Sequence, residues 1–137
     1  MKIRDALLMN SRIRTVSGML VTVAAGLASR KVAKFFDAGC LFYIGDALWS
    51  ILVYQLILLI KPEIEEKKAA LTCLGISYLV EASQLIHQKD LDMFRQTRIG
   101  HWVLGNGYDP FDLLAYTAGV AVFYMIRTRV IMHNAES

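Results

Sequence analysis

Residues 38–60 read AGCLFYIGDALWSILVYQLILLI, and their reading decides the fold. From Ile51 to Ile60 only Tyr54 and Gln55 interrupt the apolar residues. A helix on the surface of a soluble domain keeps a broad polar face. This stretch has none, and its length suits the roughly 20 apolar residues that a bilayer crossing needs. Three further apolar runs flank it, at 15–29, 69–86 and 111–126. The runs at 38–60 and 69–86 meet the length requirement. Those at 15–29 and 111–126 are short unless their flanks snorkel or the bilayer thins.

Composition agrees with a membrane reading. The 137 residues are 55% hydrophobic and 20% charged, and mean hydropathy is +0.42, whereas soluble domains carry about 25% charged residues. The chain is expected to form one domain over 1–137. Its fold class is all-α: an integral membrane bundle of four transmembrane helices at about 15–30, 42–60, 68–87 and 111–127, with a short amphipathic helix in the third loop. Lys2, Arg4, Arg12 and Arg14 before the first run, and Gly26-Leu27-Ala28-Ser29 at its close, imitate a secretory signal. Arg30 and Lys31 follow at once and the remainder is itself apolar, so a retained first helix is the reading.

Four crossings put both termini on one side, together with the second link. Lys2, Arg4, Arg12, Arg14, Lys61, Lys67, Lys68, Arg127 and Arg129 lie there, against Arg30, Lys31, Lys34, Lys89, Arg95 and Arg98 opposite. Positive charge marks the cytoplasmic side, so both termini are expected on that side. The links Arg30–Asp37 and Lys61–Lys68 are short, and Pro62-Glu63 suits a helix start. The third link, Gln88–Pro110, exceeds the length of most structureless loops. Within it Leu91–Ile99 has the pattern of an amphipathic helix on the membrane, and Trp102 that of an interfacial anchor.

The same threading brings Asp46, Glu81, Gln84 and Asp112 to one leaflet. Ionisable groups within membrane segments are costly and mark functional sites. Ser77, Glu81, Gln84 and Gln88 share one helix face, where Ser77 and Gln84 also suit plain interhelical glue. Asp46, and Asp109 or Asp112 after the turn Asn106-Gly107-Tyr108-Asp109-Pro110, could simply cap helices. Tyr116 and Gly119 continue the Asp112 face. A pocket is expected from Asp46, Glu81, Gln84, Arg98 and Asp112, with Arg95 or His101 at its rim. Arg95 and Arg98 could neutralise the acids, grip a phosphate or stay solvated. Gly18, Thr22 and Gly26 form a small-residue groove for helix packing.

Cys40 lies before the second helix, on the side of the acidic residues, and Cys73 opens the third, nearer the opposite face. That is too far apart for the roughly 7 Å that a disulfide allows, and both read as small apolar packers. HExxH, GxSxG, P-loop and paired-cysteine patterns are absent. No motif calls for a cofactor. A metal enters only if Asp46, Glu81 and Asp112 together hold a divalent ion. The excess of +3 is spent at membrane edges, which leaves no nucleic-acid patch.

Several segments recur in a familiar order: Phe42-Tyr43-Ile44-Gly45-Asp46-Ala47-Leu48-Trp49, Tyr78-Leu79-Val80-Glu81-Ala82-Ser83-Gln84, Arg95-Gln96-Thr97-Arg98-Ile99-Gly100-His101, Leu104-Gly105, and Asp112 through Tyr116 to Gly119. In order and spacing they resemble a family of small bacterial four-helix membrane proteins, the domain of unknown function 2809, over nearly the whole chain after the basic N-terminus. More distantly, the acid-x-x-Gln helix, the arginine loop and the Asp-led last helix are similar to VanZ-like proteins, linked to glycopeptide resistance. That similarity implies a role at the outer face of the cytoplasmic membrane. The expected partners are the bilayer and an anionic envelope lipid or lipid-linked precursor, with a homo-oligomer also open. Alternatives are a membrane-embedded hydrolase or transferase on lipid-linked phosphate or glycan, with two acids on Mg²⁺ and a third as general base, and a small proton-coupled transporter with Glu81 as carrier.

Overall fold

A computed structural model describes residues 2–36, 39–105 and 107–136. Six helices occur among them: α1 Lys2–Phe36, α2 Cys40–Ile60, α3 Glu66–Ser83, α4 Lys89–Gln96, α5 Arg98–Leu104 and α6 Pro110–Glu136. Asp37, which closes the first expected link, and Asn106, which opens the expected turn, lie outside the described residues.

Three helices are long and apolar enough to cross a membrane: Ile3–Phe36, Cys40–Ile60 and Pro110–Glu136. They mark the chain as a membrane protein. The order of merit read from the sequence is thereby reversed for the outer runs. α1 and α6 overrun their apolar centres because Arg12, Arg14, Arg127 and Arg129 are good helix formers; charge at a helix flank does not stop it. α3, by contrast, has 18 residues, about 27 Å of helix, and opens on Glu66, Lys67 and Lys68. It is not among the three. Nor does it start at Pro62: Ile64 N donates to Lys61 O in a separate turn, and Glu63 turns away to Arg4 at 2.9 Å.

α2 is the centre of the bundle. α1 packs on it antiparallel, α6 packs on it parallel, and α3 fills the angle between α2 and α6. Of the helices, α1 touches α2 alone. The core is Tyr54, Leu58, Ala69, Cys73 and Val120, and large apolar side chains such as Leu20, Ile60, Leu79 and Leu114 stand outward, as a lipid-facing surface requires. α2 and α6 meet closely because Gly119 has no side chain. A Cβ there would overlap the Ala47 carbonyl oxygen, while Ser50 Oγ donates across the contact to Tyr116 O at 3.2 Å.

The bundle has two polar ends. At the end called lower here, Glu66 accepts from Arg127 Nε at 3.0 Å and from Tyr54 Oη at 2.9 Å, tying α2, α3 and α6 together. The upper end holds Asp46, Asp112 and the α4–α5 segment. Cys73 is buried, its Sγ donating to Ser50 O at 3.1 Å. Cys40 is exposed rather than packed, and both thiols are free.

Candidate functional site

At the upper end a cavity of about 490 Å³ opens between α1, α2, α3, α5 and α6. Its acidic side is Asp46, nearly two turns into α2, and Asp112, in the first turn of α6, which lie close enough to interact. Tyr116 backs them, stacked on Trp49 with ring centroids 5.4 Å apart. Opposite stand Arg30, Lys31 and Lys34 of α1, with His101 of α5 above. Arg30 approaches Asp46 at 3.8 Å. Lys31 and Lys34 are exposed and form no ion pair among the described residues.

Glu81 does not line this cavity. It is fully buried and works as a latch. One oxygen accepts from Asp109 N at 2.8 Å, and the other from Gln84 Nε2 at 3.1 Å and Tyr116 Oη at 3.3 Å. Gln84, in turn, accepts from Gly107 N at 2.9 Å. Together they fasten the 105–109 segment to the end of α3. Gly105 is required there on two counts: its φ is +67°, and a Cβ would come within 2.6 Å of Gln84 Nε2. Left-handed backbone of this kind is cheap only for glycine.

Asp109 caps α6. Its Oδ1 accepts from Phe111 N at 2.9 Å, its Oδ2 from Tyr43 Oη at 3.0 Å, and Pro110 takes the first helical position, where no N–H is needed. Asp112 is thereby released from capping and points its carboxyl at the cavity.

Neither arginine expected in the pocket is found in it. Arg95 is 3% exposed and closes the end of α3. Nη1 donates to Ile86 O and to Asp92 Oδ1, each at 2.9 Å, and Nη2 donates to Ser83 O. A helix end leaves its last carbonyls without partners, and this guanidinium serves them, which is also why α3 stops at Ser83. Arg98 is exposed, with no ion pair among the described residues. The expected single amphipathic helix is in fact two. Thr97 is extended, ends α4 and caps α5 by accepting from Gly100 N at 3.0 Å, and Gly100 passes so close to the Phe94 carbonyl that no side chain fits.

The structure thus brings Asp46, Gln84, His101, Asp112 and Tyr116 to one cavity, sets Glu81 and Asp109 behind its wall, and excludes Arg95 and Arg98. Its basic side, Arg30, Lys31 and Lys34, reads in the sequence as a mere helix boundary. The signal was present in their spacing: three cations within one turn and a half, at the same end as two acids without basic neighbours. Asp46, Glu81 and Asp112 do not form a metal set, since Glu81's oxygens are occupied. No group of three or more His, Cys, Asp or Glu able to hold a metal occurs among the described residues.

A second, apolar slot of about 250 Å³ runs down from the cavity between α1 and α2. Leu27, Arg30, Trp49, Trp102 and Val103 border both spaces. Below them the slot is lined by Thr22, Val23, Gly26, Leu48 and Leu52. Gly26 therefore opens space rather than packing a helix; a Cβ there would meet nothing within 4 Å.

The family described as protein of unknown function (DUF2809) matches residues 36–120. The chain belongs to this family. The matched segment runs from the end of α1 to the middle of α6, so it takes in the acids, the latch and the α4–α5 corner, and leaves out Arg30, Lys31 and Lys34. No solved structure matches the chain.

Proposed function

We propose that the upper cavity binds the polar head of an anionic envelope lipid or lipid-linked precursor, whose hydrocarbon chain lies in the adjoining slot. The observation that carries this reading is the shared wall. A polar space with unpaired lysines continues, past Trp49 and Trp102, into a space lined by Val23, Leu48 and Leu52. A ligand with a charged head and an apolar tail matches both halves, and a soluble anion would leave the slot unused. Lys31 and Lys34 supply attraction for phosphate or carboxylate. Asp46 and Asp112 offer acceptors for hydroxyl or amine groups, which favours a glycan-bearing head. The distant similarity to VanZ-like proteins points the same way.

In this reading α3 also crosses. Its first turn meets Tyr54 and Arg127 and its last meets Tyr116 and Asp109, so it runs from one polar end to the other despite its charged start. Four crossings with cytoplasmic termini in a bacterial inner membrane then set the cavity in the outer leaflet. The rival enzyme reading is favoured by one observation, the Asp46–Asp112 pair, which could hold a divalent ion together with a ligand's phosphate. Glu81, its oxygens committed and away from the cavity, is unsuited to carry protons.

Native mass spectrometry of the purified protein tests the proposal by asking which lipid is retained. The Lys31→Gln/Lys34→Gln double variant is expected to lose it, while folding is kept. Retention of the same lipid at wild-type occupancy would overturn the reading. Turnover of that lipid on adding Mg²⁺, abolished by Asp112→Asn, would favour the enzyme instead.

A further inference from the structure

A third cavity, of about 380 Å³, lies at the lower end of the same gap between α1 and α6. Gln55 of α2 lines it, 6% exposed, and its amide oxygen has no hydrogen-bond partner among the described residues. Buried polar atoms are nearly always satisfied, and a turn of the side chain about its last bond would present this acceptor to the cavity, where a donor is missing. Gly18 leaves the room: a Cβ there would come within 3.0 Å of Gln55 Nε2.

Two cations line the same cavity, Arg14 from α1 and Arg127 from α6. Arg127 is balanced by Glu66. Arg14 is exposed and has no ion pair among the described residues, so the cavity carries one uncompensated positive charge. Leu58, Phe123, Ile126 and Val130 provide an apolar remainder. The chemistry asked of an occupant is therefore an anion for Arg14, a hydroxyl donor within reach of Gln55 Oε1, and an apolar part.

We propose that this lower cavity is a second ligand site, taking a phosphate ester that bears a free hydroxyl, as phosphatidylglycerol does. The phosphate faces Arg14 and Arg127, the hydroxyl donates to Gln55 Oε1, and the acyl chain lies against Phe123 and Ile126. The proposal rests on its own residues and stands or falls apart from the upper cavity.

The full chain, purified in an uncharged detergent, is titrated by calorimetry with short-chain phosphatidylglycerol, phosphatidylcholine of equal chain length and, in a separate arm, glycerol 3-phosphate. Phosphatidylglycerol should bind, and Arg14→Gln and Gln55→Leu should each weaken it about ten-fold, the loss of one charge-assisted or buried hydrogen bond. Arg98→Gln, outside both cavities, should leave this binding unchanged. Glycerol 3-phosphate binding as tightly as the lipid would keep the phosphate–hydroxyl site and make its ligand a soluble ester. Gln55→Leu removes an orphaned polar group, so its melting temperature should equal or exceed wild type, which separates lost binding from lost folding. Wild-type affinity in both lower variants, equal affinity for phosphatidylcholine, or an equal loss in Arg98→Gln would each overturn the site.

Discussion

At the lower end of the bundle Glu66 is enclosed by Arg127 and Tyr54, and its charge is answered on the spot. At the upper end Asp46 and Asp112 face each other while Lys31 and Lys34 stand across an open space without ion pairs. The same residue types serve both ends, yet the first arrangement joins three helices and the second leaves charge unanswered beside a cavity. Groups that are fully partnered hold a fold together; groups left unpartnered cost stability, and they point to what the fold is for. Applied within the upper end itself, this contrast sets apart Glu81, whose two oxygens are partnered, and Arg95, whose Nη1 and Nη2 are partnered while its Nε is not. On the other side stand Asp112, Lys31 and Lys34, which have no ion pair among the described residues, and Asp46, which meets only Arg30, at 3.8 Å.

Substitutions can break or sharpen this division. The largest effect is expected from Arg95→Met, which strips the end of α3 of its donors; a loss of about 3 kcal/mol should appear as a lowered melting temperature. Were Arg95 instead a ligand group, stability would hold and lipid retention alone would fall. Next comes Glu81→Gln. All of Glu81's partners are donors, so the amide nitrogen must confront one of them whichever way it turns, at about 2 kcal/mol. A variant as stable as wild type in the same assay would show that the latch is drawn wrongly. Glu66→Gln, at a side chain 16% exposed where Glu81 is fully buried, should cost less, about 1 kcal/mol, and leave lipid retained at the upper end untouched. The smallest change belongs to Arg98→Gln, expected within about 0.5 kcal/mol of wild type and neutral for lipid binding; a clear defect in retention would return Arg98 to the site.

Much of this was legible in the residues. The apolar stretch at 38–60 announces a membrane helix, and helix periodicity with alternating direction suffices to bring Asp46, Gln84, Asp112 and Tyr116 to one level. Gly119 as a close-contact residue follows from its place on the Asp112 face. Other features resisted for physical reasons. The sequence shows Arg95 as a cation on an amphipathic segment, but its partners are carbonyl oxygens 9 and 12 residues earlier, and main-chain acceptors leave no trace in side-chain pattern. The Tyr54–Glu66–Arg127 tie spans separations of 12 and 61 residues, which no local periodicity connects. Apolar run lengths understate α1 and α6 because basic residues extend a helix beyond its greasy centre, and the run at 69–86 outlasts α3 itself.

The isolation of α1, which rests on α2 and on no other helix, carries a further consequence. Because no helix contact closes the gap between α1 and α6, the lipid proposed for these cavities would enter by diffusing within its own leaflet and need never pass through water. Occupancy of the proposed upper site would then follow the mole fraction of ligand in the surrounding bilayer and not its concentration in the bulk. Diluting vesicles tenfold with buffer should leave the bound fraction unchanged, whereas diluting the ligand among other lipids should empty the protein.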